Sequence, residues 1–152
     1  LTRSGVFVEE KMFATLDTAS RRLRFPKERD VIITDTVGFI RDLPKDLMTA
    51  FKSTLEELQD ADLLLHLVDI SNPRFEQQME SVENILRELN LSDKKRIIVF
   101  NKTDKVAEDE IKNIAFRYNA IYISALKQST FNPLLDVIEQ NIWDDRKFEG
   151  EK

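Results

Sequence analysis

The tetrad Asn101-Lys102-Thr103-Asp104 directly follows Arg96-Ile97-Ile98-Val99-Phe100, a run that is apolar after its first residue. A carboxylate at Asp104 can accept two hydrogen bonds side by side, which matches the N1 and N2 donors of a guanine edge. Adenine offers no such donor pair. The aliphatic stem of Lys102 can lie along a ring plane, and the Asn101 carboxamide can tie the loop together. Ligands of open α/β sheets gather beyond the carboxyl ends of the strands, so this is the right place for a base reader. Taken alone, a polar Asn/Lys/Asp turn is also an ordinary way to leave a sheet.

Two further loops strengthen the reading. Asp35-Thr36-Val37-Gly38 follows the β-rich run Val31-Ile32-Ile33-Thr34. An Asp at that strand end can hold Mg²⁺ through water, and Gly38 lets a backbone N–H approach a terminal phosphate with no Cβ in the way. Ser124-Ala125-Leu126 follows Ala120-Ile121-Tyr122-Ile123, where a backbone N–H could reach the guanine O6. Three polar loops, each closing a strand, in this order, point to a GTPase.

The elements that must carry these loops alternate between strand and helix, which predicts an α/β fold, mainly parallel, with helices on both faces. The runs 21–25 and 31–34 flank Pro26-Lys27-Glu28-Arg29-Asp30 and predict one antiparallel hairpin. Leu47, Phe51, Leu55 and Leu58 recur at helical spacing between Pro44 and Gln59. Leu63 to Val68 is apolar except for His66, as in a strand buried on both faces. Asn72 and Pro73 predict a cap and first turn ahead of the stripe Phe75, Met79, Val82, Leu86 and Leu89. Ile111, Ile114, Ala115 and Tyr118 mark a shorter helix, and Leu134, Leu135, Ile138 and Ile142 the last one. The one histidine, His66, reads as a packed strand residue rather than a catalyst, and Trp143 as a helix-face anchor.

Composition is that of a globular protein, 41% hydrophobic and 34% charged, without cysteine and without an apolar run long enough for a bilayer. Nothing suggests secretion. With 28 acidic against 23 basic residues the net charge is -5, which excludes a broad nucleic-acid surface of the usual basic kind. Residues 1–143 are expected to form one partial nucleotide-binding domain and 144–152 a charged, solvated tail.

Phe13-Ala14-Thr15-Leu16-Asp17, then Asp35-Thr36-Val37-Gly38-Phe39-Ile40-Arg41-Asp42-Leu43-Pro44, then Ala61-Asp62-Leu63-Leu64-Leu65-His66 resemble the HflX family of ribosome-associated GTPases. The similarity is dense from about Val8 to Asp104 and looser beyond. It implies a Ras-like P-loop G domain that hydrolyses GTP to GDP and phosphate with Mg²⁺, in the cytoplasm, coupled to the large ribosomal subunit or to ribosome splitting. No DNA partner is implied. By the same resemblance Thr15 is the switch threonine that serves Mg²⁺ and the γ-phosphate, with Phe13 to Asp17 around the nucleotide. Asp35 serves the metal, Thr36, Val37 and Gly38 the phosphates, and Asn101 to Asp104 with Ser124 to Leu126 the base. Thr15 and Gly38 are the pair nearest the chemistry.

The sequence departs from that family in one place that matters, and from the pattern of Ras-type and many other GTPases in two more. No Gly-x-x-x-x-Gly-Lys-Ser/Thr occurs in it, and its three glycines are Gly5, Gly38 and Gly150. The phosphate loop, with the central first strand that precedes it, is therefore expected upstream of Leu1, and this stretch alone is expected to be inactive. The other reading is a nucleotide-free interaction module that keeps the G-domain scaffold. Phe39 stands where Ras-type GTPases carry the water-orienting glutamine, so intrinsic hydrolysis is expected to be slow. Lys127-Gln128-Ser129-Thr130 replaces a stretch that is glycine-containing in many such GTPases.

Overall fold

A computed structural model describes residues 19–26, 29–36 and 57–143. The chain divides into two compact units, Leu1–Asp60 and Ala61–Lys152. In the first, β1 (Ala19–Phe25) and β2 (Arg29–Asp35) form the predicted antiparallel hairpin, with Phe25 opposite Arg29 and Ala19 opposite Asp35. The ladder takes in Arg29 and Asp30, so the connection is tighter than the five-residue turn expected. A cross-strand pair explains this: Arg24 Nε lies 3.2 Å from Asp30 Oδ1, directly opposite it. Asp35 thus closes a strand, as expected. Of the helix expected over Pro44 to Gln59, residues 57–60 are described and are helical.

The second unit holds β3 (Leu64–Asp69), β4 (Arg96–Asn101) and β5 (Ile121–Tyr122) in the order β3-β4-β5, with both pairings parallel. Three helices connect and follow them: α1 (Phe75–Glu88), α2 (Glu108–Arg117) and α3 (Asn132–Trp143). Successive β4 side chains point to opposite faces. Phe100 and Val68 pack with Met79 of α1 and with Ile111 and Ala115 of α2. Val99, on the other pleat, is fully buried, and α3, which lies against β5, buries Leu134 and Ile138. Among the described residues no helix is long and apolar enough to cross a membrane.

Phe100 is the centre of the first layer. It is fully buried, with the rings of Phe75 and Tyr118 edge-on at 5.7 and 5.8 Å. Burying a phenyl ring contributes about 1.5–3 kcal/mol, and edge-on neighbours add about 0.5–1.5 kcal/mol. β3 is less buried than its sequence suggests. Leu67, on the pleat opposite Val68, is 60% exposed, and among the described strands β3 is an outer one, with β4 between it and β5.

Both crossover helices end by one device. Asn90 adopts φ 57°, while Leu91 N–H bonds Leu86 O at 2.7 Å and Asn90 N–H bonds Arg87 O at 3.1 Å. Asn119 adopts φ 47°, with Ala120 N–H to Ala115 O at 2.9 Å and Asn119 N–H to Phe116 O at 3.3 Å. Each is a Schellman closure with asparagine in the left-handed position, where its short polar side chain is tolerated. The reversal at Asn119 feeds directly into β5. At the other end of α1 the expected cap, Asn72, lies two residues ahead of the observed one, Arg74. Asn72 Oδ1 accepts the Arg74 N–H at 2.9 Å in a turn before the helix, which starts at Phe75.

His66 lies within β3 and is half-buried, and its Nδ1 has no hydrogen-bond partner among the described residues. Burial pushes its pKa below the ordinary 6.5; Glu83 pulls upward and Arg96 downward. The neutral ring is the native form, so its contribution is intact above pH 6.5 and is lost as the pH falls below it. The urea midpoint is expected to fall between pH 7.5 and pH 5 by more in the natural protein than in His66→Gln; identical pH profiles would contradict this. Phe100→Ala should lose about 3–5 kcal/mol in urea unfolding, and a loss under about 1 kcal/mol would show that the ring is not a keystone.

Candidate functional site

β4 ends inside the core and its next residues turn out of it. Phe100 is buried, Asn101 is the last strand residue, and Lys102 takes the left-handed conformation at φ 63°, ψ 33°. Such a conformation is unfavourable for a lysine and is maintained only where its surroundings hold it. Here Lys105 N–H bonds Lys102 O at 3.0 Å and Thr103 N–H bonds Ile123 O at 3.3 Å. The Thr103 hydroxyl donates to the same Ile123 carbonyl at 2.9 Å. Thr103–Lys105 form a 3₁₀ turn that leaves Asp104 exposed.

The Ser124 loop is fastened to this turn from the side. Ile123 N–H bonds Phe100 O at 2.8 Å, which brings the end of β5 level with the end of β4. Ser124 is fully buried, and its hydroxyl donates to Asp104 Oδ1 at 2.5 Å. That hydrogen bond is the main cause of an Asp104 pKa below the usual carboxylate value, against a smaller upward push from desolvation. The carboxylate is therefore an anion at neutral pH, oriented by one oxygen. Ala125 N–H donates to Asn101 Oδ1 at 2.9 Å. The Asn101 side chain thus ties the two loops together. The Ala125 N–H, the donor expected near a guanine O6, thus has the Asn101 carboxamide oxygen as its acceptor here. Leu126 is 84% exposed beside it.

Two participants have no motif to announce them. Asp69 ends β3 level with Asn101, and its Oδ2 lies 2.7 Å from Lys102 Nζ. Its Oδ1 accepts the Ser71 N–H at 3.0 Å and the Ser71 hydroxyl at 2.6 Å. Desolvation raises the Asp69 pKa, but the bonds from Lys102 and Ser71 outweigh it and hold the group below its ordinary value. In sequence, an Asp closing a strand two residues before a Ser is the only signal. Thr130 is the second: its hydroxyl accepts the Ser124 N–H at 3.0 Å and lies 2.7 Å from Lys127 O.

Asp35 and Thr36, also predicted for the site, belong to the first unit. Asp35 closes β2 with an exposed side chain, and Thr36 follows it. A hard carboxylate oxygen at a strand end suits a magnesium ion held through water, so the donor fits the metal expected there. Phe13, Ala14, Thr15, Leu16, Asp17, Val37, Gly38 and Phe39 lie outside the described residues.

Comparison with known proteins agrees with this geometry. A family described as 50S ribosome-binding GTPase matches residues 1–102. GTPase HflX of Caldanaerobacter subterraneus subsp. tengcongensis is 45% identical over 143 residues, covering 94% of this chain and 32% of that protein. GTPase HflX of Flavobacterium psychrophilum is 52% identical over 102 residues, covering 67% of this chain and 24% of that protein. The chain thus spans about a third or less of the length of these relatives. Among solved structures, Era in complex with MgGDPNP and 16S ribosomal RNA superposes with a TM-score of 0.70 at 23% identity, over 88% of this chain and 47% of that one. A variant of SsGBP gives 0.64 at 30% identity, over 78% and 45%. The parallel sheet, the antiparallel hairpin and the loops at the strand ends are those of a Ras-like G domain, and the chain, matched by the family described as 50S ribosome-binding GTPase, belongs to the HflX family of GTPases.

Proposed function

We propose that this chain is the guanine-nucleotide domain of a cytoplasmic GTPase that hydrolyses GTP to GDP and phosphate in concert with the large ribosomal subunit. The observation that carries the proposal is the exposed, anionic Asp104 carboxylate, held by Ser124 at the end of a buried strand and next to Lys102. Asp104 accepts the guanine N1 and N2 donors. The Lys102 stem lies along the ring, and Asn101 keeps the Ser124 to Leu126 loop, with Ala125, beside the base. For O6 to bond the Ala125 N–H, the oxygen shares that donor with Asn101 Oδ1 or displaces it.

Phosphate chemistry falls to the other loops. When bound, Mg²⁺ would neutralise charge on the phosphate oxygens, with Asp35 and Thr15 as its protein ligands. The Gly38 backbone N–H approaches the γ-phosphate, and Thr15 orders its loop around the triphosphate. Thr36, Val37 and the residues Phe13, Ala14, Leu16 and Asp17 line the same end of the nucleotide. Phe39 follows Gly38, and a phenyl ring neither accepts a water proton nor aims its lone pair. Orientation of the attacking water then comes from a partner, which fits a family named for binding the 50S ribosome.

In the intact protein Asp104→Asn should weaken GDP binding by on the order of 10⁴-fold and strengthen binding of xanthosine diphosphate, because a site built for a hydrogen bond rejects a base lacking it. Competition titrations measure both, and an unaltered base preference would remove the guanine reading. Large ribosomal subunits should raise GTP turnover of the intact protein by on the order of 10³-fold, the scale of a group supplied in trans. Equal phosphate release with and without subunits would defeat the partner-completed site.

A further inference from the structure

We propose that Thr130 is a specificity-determining positioning residue for base recognition: its hydroxyl staples the Ser124–Lys127 turn, and through Ser124 it sets the Asp104 carboxylate. The proposal rests on the guanine-reading role of Asp104.

Residues 124–130 contain no glycine, and the positive-φ residues of the described chain are Asn90, Lys102 and Asn119. The turn is therefore built from ordinary backbone conformations. Lys127 N–H bonds Ser124 O at 2.9 Å, and Thr130 N–H bonds Lys127 O at 3.0 Å. A side chain closes it where a flexible glycine does not. Thr130 Oγ1 accepts the Ser124 N–H at 3.0 Å and stands 2.7 Å from Lys127 O and 3.2 Å from Ser124 O. Its single proton goes to the nearer carbonyl, Lys127 O. One hydroxyl thereby joins the first residue of the turn to the fourth.

The consequence passes to the base through one atom. The Ser124 hydroxyl has a single proton and gives it to Asp104 Oδ1, so the seat of Ser124 determines where that carboxylate points. Asp104 itself is exposed on a short 3₁₀ turn, where a side chain has several rotamers open to it. Two-oxygen recognition of adjacent N1 and N2 donors is sensitive to that rotation. Contact between the Lys102 stem and the ring face is not. Loss of the staple should therefore erode discrimination for the 2-amino group more than general affinity for a purine nucleotide.

Guanosine and inosine diphosphate differ only by that amino group, and their affinity ratio isolates the effect. In the intact protein, Thr130→Val should lower the ratio by about tenfold, the scale of one hydrogen bond to a charged group, with inosine diphosphate binding nearly unchanged. Thr130→Ser, which keeps the hydroxyl, should restore the natural ratio. If the valine does not fold, Thr130→Ala removes the same hydroxyl with less bulk and is read in the same way. A ratio that stays constant, or equal losses for both nucleotides, would overturn the role of Thr130. Asp104→Asn measured alongside separates the two levels: without a switch to xanthosine diphosphate the guanine reading itself fails, whereas a switch with an unmoved Thr130 ratio removes this proposal alone.

Discussion

Burial of the carboxyl end of β4 is the constraint on which the second unit depends. Val99 and Phe100 face opposite sides of the sheet and are both fully buried, so the strand can neither slide nor rotate without exposing one of them. The next residue is therefore delivered to one place. From there the polar chain has one turn in which to leave the core, and it does so through a left-handed lysine that its neighbours hold by backbone bonds.

Around that strand end the polar groups form two braces. On the β3 side, Ser71 holds Asp69, which holds Lys102. On the β5 side, Thr130 holds Ser124, which holds Asp104. Each brace positions a charge, and each uses a neutral hydroxyl as the outer support. The partly exposed ion pair contributes little to stability by itself, since solvent screens it. Its value lies in removing rotamer freedom from a long side chain before a ligand arrives. The braces make the site an example of preorganisation by short polar residues on neighbouring strand ends.

The schedule of the fold follows from helix ends as much as from the sheet. Asn90 and Asn119 each reverse the chain after a crossover helix, and the second delivers Ala120 almost directly into β5. β5 has only two residues in the ladder, yet the bonds of Ile123 to Phe100 and of Thr103 to Ile123 extend its influence into the loop beyond. A short strand suffices because the loop after it continues the pairing by other means.

Sequence by itself determined much of this. Apolar periodicity located the hairpin, the three parallel strands and the described helices, because burial on one stripe or face is a local pattern. Motif spacing put Asn101, Asp104, Asp35 and Ser124 at strand ends, because the chain must exit a sheet through polar residues. Tertiary structure decided the rest. The exposure of Leu67, inside an apolar run, is not contained in any local window. The engagement of Ala125 by Asn101, and of Lys102 by Asp69, joins residues 24 and 33 positions apart, through parallel pairing that aligns their strand ends. Thr130 reads as one more polar residue in a loop until the turn folds it back onto Ser124. Pairings of that kind are set by where strands end in space, and only the packed sheet specifies that.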